Sequence, residues 1–172
     1  MKFQRHYILP IFFFLMVLLD GSMQALLGAE FLSGNSVIVP QISVIVIAFF
    51  SFYASAYPIH YYAFFVGLLY DTYYLSYYGL YATLFFLMAY LIRLCSRFFK
   101  EHVILATTLE ILAISYVQFS VYVFYQLTGV AHTNWQVFVV SRLWPTLLFN
   151  TLAFFILYMP LYKLRRWIFS KQ

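Results

Sequence analysis

Charge is scarce in this chain: Asp, Glu, Lys and Arg make up 9% of its 172 residues, against about 25% in an ordinary soluble domain. A water-facing surface cannot be built from so few charges, so a soluble globular domain is excluded. Cysteine is almost missing. With Cys95 as the single cysteine, an internal disulfide and any cysteine-based zinc or iron–sulfur site are ruled out. Long polar stretches are missing too. None exceeds about ten residues between apolar runs, so a second, soluble domain has no segment to fold from.

What is present is apolar and aromatic: 65% hydrophobic residues, with 17 Tyr and 21 Phe, and a net charge of +5. The positive balance is not a nucleic-acid signal, because the basic residues border apolar spans and no loop could carry a reader module. They read as membrane-surface residues facing the lipid bilayer. Lys2 and Arg5 before an apolar run could open a signal peptide. Tyr7–Leu27 is 21 residues long, however, beyond the usual core of about 7–15 residues, so it reads as a retained first helix.

The apolar runs are Tyr7–Leu27, Val37–Tyr57, Tyr61–Ile92, Val103–Thr128 and Trp135–Tyr162. As a single helix the third would be about 48 Å long, against a hydrocarbon core of about 30 Å. Asp71 and the stretch Ser76-Tyr77-Tyr78-Gly79 divide it into two shorter helices. The basic residues cluster at Lys2/Arg5, at Arg93/Arg97/Lys100 and at Lys163/Arg165/Arg166/Lys171. Six helices put all three clusters on the cytoplasmic side, whereas five would split them. The expectation is therefore an all-α polytopic membrane protein. It forms one transmembrane domain with helices near 7–27, 37–57, 58–75, 79–94, 103–128 and 135–162, and both termini are cytoplasmic. The outer loops Gly28–Ser36, Ser76–Tyr78 and Gly129–Asn134 then hold one acid, Glu30, and no Lys or Arg. Tyr and Trp near helix ends form aromatic belts. No internal repeat is visible, which argues against an inverted-repeat transporter.

Charged groups within spans cost about 2.5–3.5 kcal/mol each, so they face a bundle interior or a partner. Asp20, Asp71, Glu110 and Arg142 qualify. Counting about 1.5 Å per residue puts Asp20 in the outer half of helix 1, Asp71 just past the midplane of helix 3, Glu110 in the inner half of helix 5 and Arg142 near the outer end of helix 6. Arg142 is thus a candidate partner for Asp20 or Asp71. The acids have three readings: interhelical ion pairs or hydrogen bonds, a proton or cation path, and catalytic carboxylates. The last lacks any nucleophile–base pairing. His6, His60, His102 and His132 fall at loops and helix ends on both sides of the membrane, so no metal site is expected. Glu110, Gln118, Tyr122 and Gln126 form a polar stripe on helix 5 that should face protein.

Small residues mark close helix contacts. Gly21, Ala25 and Ala29 do so on helix 1, Ser51 and Ser55 on helix 2, and Gly79 with Thr83 on helix 4. Gly67 and Asp71 share a helix face, and the glycine lets a neighbouring backbone approach the carboxylate. Pro145 falls in the first turns of helix 6, where a missing donor costs little, and Asn150 follows as a buried amide.

The stretch GLLYDTYYLSYYGLYATLFFLMAYL, Gly67 to Leu91, resembles the G-x-x-x-D followed by a glycine-started helix of the MreD family of rod-shape-determining membrane proteins. RLWPTLLFNTLAFFILYMPLYKL, Arg142 to Leu164, is similar to that family's C-terminal helix, with its P-T-x-x-x-N and closing tyrosine–proline before a basic tail. The resemblance implies a non-enzymatic component of cell-wall elongation in the bacterial inner membrane. Its implied partners are MreC, a single-span protein, and through it a peptidoglycan glycosyltransferase and transpeptidase. It also implies a six-helix fold like that of the substrate-binding subunits of energy-coupling-factor vitamin transporters, and it carries over Gly67, Asp71, Pro145 and Asn150 as motif residues. The residues themselves leave three functions open: an interaction scaffold, a vitamin-binding transport subunit, and an intramembrane enzyme. The enzyme has no recognisable catalytic group or cofactor site.

Overall fold

A computed structural model describes residues 8–31, 36–74, 79–130 and 133–169, without the side chains of 27–31 and 74. The described chain is all-helical. Its six helices are α1 (Ile8–Phe31), α2 (Ile42–Tyr53), α3 (Ile59–Tyr74), α4 (Leu80–Cys95), α5 (Val103–Leu127) and α6 (Trp135–Phe169). The long third apolar run is divided between α3 and α4. Gly79 precedes α4 at φ 102°, in the left-handed region where a side chain would be strained. The loop residues Ser76, Tyr77 and Tyr78 lie outside the described residues, as do His6, His132 and the basic residues Lys2, Arg5 and Lys171.

α2 is the centre of the bundle. All 12 of its residues are buried, and α1, α3, α4, α5 and α6 all pack against it. The sequence reading runs this helix over 37–57, but residues 36–41 are non-helical and the chain turns at 54–57. Two prolines bound the helix. Pro40 and Pro58 lack an N–H and push the residues before them towards extended backbone. What remains is about 18 Å of helix, well short of a bilayer, and it is preceded by the non-helical stretch 36–41. Such backbone is tolerated at membrane depth only where protein satisfies it.

Among the described residues three helices are long and apolar enough to cross a membrane: Ile8–Leu26, Val103–Leu127 and Trp135–Phe169. Their outward faces are apolar, with Ile11, Phe14, Leu15 and Leu18 exposed on α1 and Leu148, Leu152, Phe155 and Ile156 on α6. Lipid, not water, is the solvent that suits such stripes, and the protein is a membrane protein.

The two ends of the bundle differ. At one, Arg165 of α6 pairs with Glu101 before α5 at 2.6 Å, and Phe50 at the end of α2 packs against Phe12 of α1 and Phe169 of α6. Arg93, Arg97, Lys100, Lys163 and Arg166 belong to the same turns, making this the basic end. The opposite end gathers the starts of α2 and α4.

Candidate functional site

The start of a helix leaves N–H groups without intrahelical acceptors and carries a partial positive charge. α2 begins at Ile42 inside the bundle, where no water can serve those groups, and its N-cap Gln41 offers no side-chain bond. Asp20 of α1 takes that role across the helix boundary. Fully buried, it accepts the Ile42 N–H on Oδ1 at 2.6 Å and the Ser43 N–H on Oδ2 at 2.9 Å. The Tyr70 hydroxyl of α3 donates to the same Oδ2. From the other side Asn150 of α6 accepts the Gln41 N–H on Oδ1 at 2.8 Å, while its Nδ2 donates to the Val39 and Thr146 carbonyls at 2.9 and 2.8 Å. Three helices thus converge on the first turn of α2.

Asp71, the residue after Tyr70, repeats the arrangement at α4. It accepts the Gly79 and Ala82 N–H groups on Oδ2 at 2.9 and 3.2 Å and the Tyr81 N–H on Oδ1 at 2.8 Å. Gly67, one turn earlier on α3, makes this reach possible. A Cβ there would lie 2.4 Å from the Ala82 Cα and 2.5 Å from the Tyr81 carbonyl oxygen, so α3 and α4 touch backbone to backbone. Consecutive residues of α3 therefore serve both helix starts.

Arg142 pairs with neither acid, which corrects the ion pair expected from its depth. Each of these carboxylates already accepts three hydrogen bonds, from backbone N–H groups and, for Asp20, the Tyr70 hydroxyl, so neither depends on a guanidinium partner. Arg142 sits in a π-helical segment of α6, Val139–Leu143, and its Nε is buried without a hydrogen-bond partner. Among the described residues the ion pair is Arg165–Glu101, at the other end. Pro145 follows the π-helical segment and stands in the first turn of the regular α-helical part of α6, Trp144–Phe169.

Glu110 is fully buried on α5. Its carboxyl lies towards Thr151 of α6, yet neither oxygen forms a hydrogen bond of normal geometry. Further along the polar stripe Gln118 is buried, while the Tyr122 hydroxyl and Gln126 amide both donate to the Thr133 carbonyl and tie down the α5–α6 connection. His60 lies buried beside Arg93, whose Nε donates to the Ser55 carbonyl at 2.8 Å. His102 caps α5 by accepting the Ile104 N–H at 3.3 Å. Among the described residues no three His, Cys, Asp or Glu side chains gather as metal ligands. On α1 Gly21 is half-buried and Ala25 exposed, and the Ala29 side chain lies outside the described residues.

Sequence reasoning missed Tyr70 and Thr146 as members of this site. Tyr70 is one tyrosine among 17 with nothing to separate it from the aromatic belts. Thr146 lies four residues before Asn150, inside the P-T-x-x-x-N stretch, and that spacing was the available signal. Chemically the arrangement binds helix ends: each Asp accepts three hydrogen bonds, five of the six from backbone N–H groups and one from the Tyr70 hydroxyl.

The family model for the rod shape-determining protein MreD matches residues 1–168. No curated protein and no solved structure matches the chain.

Proposed function

Because this chain belongs to the MreD family of rod shape-determining proteins, we propose that it works as a non-enzymatic membrane scaffold of the cell-wall elongation machinery. Its partner is an MreC-like single-span protein, and through that partner it acts on a peptidoglycan glycosyltransferase and transpeptidase. The observation that carries this reading is the use made of Asp20 and Asp71. Both carboxylates are engaged in holding helix starts, a structural use of polar groups that supports lateral helix faces as the working surface. In this reading the basic end faces the cytoplasm of a bacterial inner membrane and the capped end faces outward.

The face of α1 that carries Gly21 and Ala25 suits a partner helix, since small residues let backbones approach closely. Ala25→Leu tests this directly. Its side chain is exposed, so the substitution is expected to weaken co-purification with the single-span partner while thermal stability in detergent stays unchanged. Equal recovery of the partner would remove α1 as the interface, and joint loss of partner and stability would make that face structural.

A further inference from the structure

Segment 36–41 runs alongside the opening of α6 in the same direction, and its backbone is met at every second residue. Val37 N–H donates to the Ser141 carbonyl at 2.7 Å, Val39 N–H to Thr146 Oγ1 at 3.2 Å and Gln41 N–H to Asn150 Oδ1 at 2.8 Å. The lengths are commensurate. Four extended residues from Val37 to Gln41 cover about 13 Å, and nine helical residues from Ser141 to Asn150 cover about 13.5 Å. Thr146 and Asn150, four apart, share a helix face. Pro40 falls on the alternate position, whose N–H this register does not use, so a proline fits there.

Ser141 differs from the other two acceptors because it offers a main-chain carbonyl inside a helix. Such a carbonyl ordinarily accepts the N–H four residues on. That residue is Pro145, which has no N–H to give. The turn before it is widened to π-helix, with the Trp144 N–H reaching back to the Val139 carbonyl. A proline and a π segment together leave a carbonyl open towards the neighbouring chain.

We propose that Pro145 and the π-helical segment Val139–Leu143 make this stretch of α6 a binding site for extended peptide backbone, with the Ser141 carbonyl held open by Pro145 and segment 36–41 as the occupant. The site reads main-chain N–H groups at alternate residues and is indifferent to the side chains of Val37 and Val39. Pro145 is then a positioning residue that acts through Ser141.

Residue-resolved hydrogen–deuterium exchange on the full chain in lipid nanodiscs tests this. Pro145→Ala supplies an N–H that competes for the Ser141 carbonyl, so exchange at the Val37 amide is expected to accelerate at least tenfold while the Gln41 amide, held by Asn150, changes less than twofold. Unchanged exchange at Val37 would overturn the proposal. Two further variants decide the matter if Pro145→Ala does not fold. Val37→Pro removes the donor and is expected to accelerate exchange at Val39 at least tenfold, whereas Val37→Ala keeps the donor and is expected to leave Val39 within twofold. Equal exchange at Val39 in the two variants would show that the main-chain contact does not hold the segment.

Discussion

A single buried carboxylate in a membrane protein is worth what its partners make of it. Asp71 receives three backbone N–H groups, and a buried donor left without an acceptor costs about 1–3 kcal/mol. Asp71→Asn keeps one acceptor oxygen and much of the fold. Asp71→Leu keeps none, so it is expected to lose stability by several kcal/mol and to lower membrane abundance, as read by thermal denaturation in detergent and by immunoblot. Normal abundance with complete loss of activity in the Asn variant would instead indicate a function that needs the charge. Gly67→Ala is expected to be damaging for a different reason. Its Cβ would meet the backbone of α4 at 2.4 Å, and backbone cannot turn aside as a flexible side chain can, so α3 and α4 must separate and Asp71 loses its reach. The same thermal assay is expected to show destabilisation above about 2 kcal/mol. A neutral Ala variant would mean that the α3–α4 contact is looser than described. Glu101→Gln at the basic end is a useful contrast. The Arg165–Glu101 pair is partly exposed, and exposed pairs contribute about 0–1 kcal/mol, so the variant should change stability by less than about 1 kcal/mol.

At the level of elements, the all-helical fold and its six helices were legible because apolar runs and basic clusters are long-range signals that survive without any tertiary knowledge. The true extent of α2 was hidden. Val37–Tyr57 is uniformly apolar, and hydropathy cannot tell a helix from an extended segment whose N–H groups are met by Ser141, Thr146 and Asn150, more than a hundred residues away. Pro40 and Pro58 were visible local hints of the shorter helix. Asp20, Asp71 and Asn150 stood out as polar residues in apolar surroundings. Their partners did not stand out, because those partners are backbone groups, which every residue has. Arg142 misled for the same reason: depth and opposite charge nominated it for acids that already accept three hydrogen bonds each, mostly from backbone N–H groups. Arg142→Gln, which breaks no hydrogen bond to Asp20 or Asp71, is therefore expected to shift thermal stability by less than about 1 kcal/mol. A loss of the several kcal/mol typical of a broken buried ion pair would restore the electrostatic role that its depth suggests.

For the molecule as a whole, the two ends have different construction. The basic end is closed by aromatic packing and the Arg165–Glu101 ion pair. The opposite end is held by carboxylates and an amide on helix starts. With the basic end in the cytoplasm, reporter fusions after Arg97 and after Gln172 should read cytoplasmic and a fusion at His132 external. A cytoplasmic reading at His132 would contradict that orientation. The central claim is that this bundle works by lateral contact rather than by chemistry or by carrying a small molecule. Its most direct test is purification of the full chain from membranes that contain an MreC-like single-span protein, followed by mass spectrometry of everything retained. Contact predicts that the single-span partner is retained in stoichiometric amount and that no metabolite accompanies it. Recovery of the chain without the partner but with a stoichiometric vitamin would contradict the scaffold function and assign a substrate-binding transport subunit in its place.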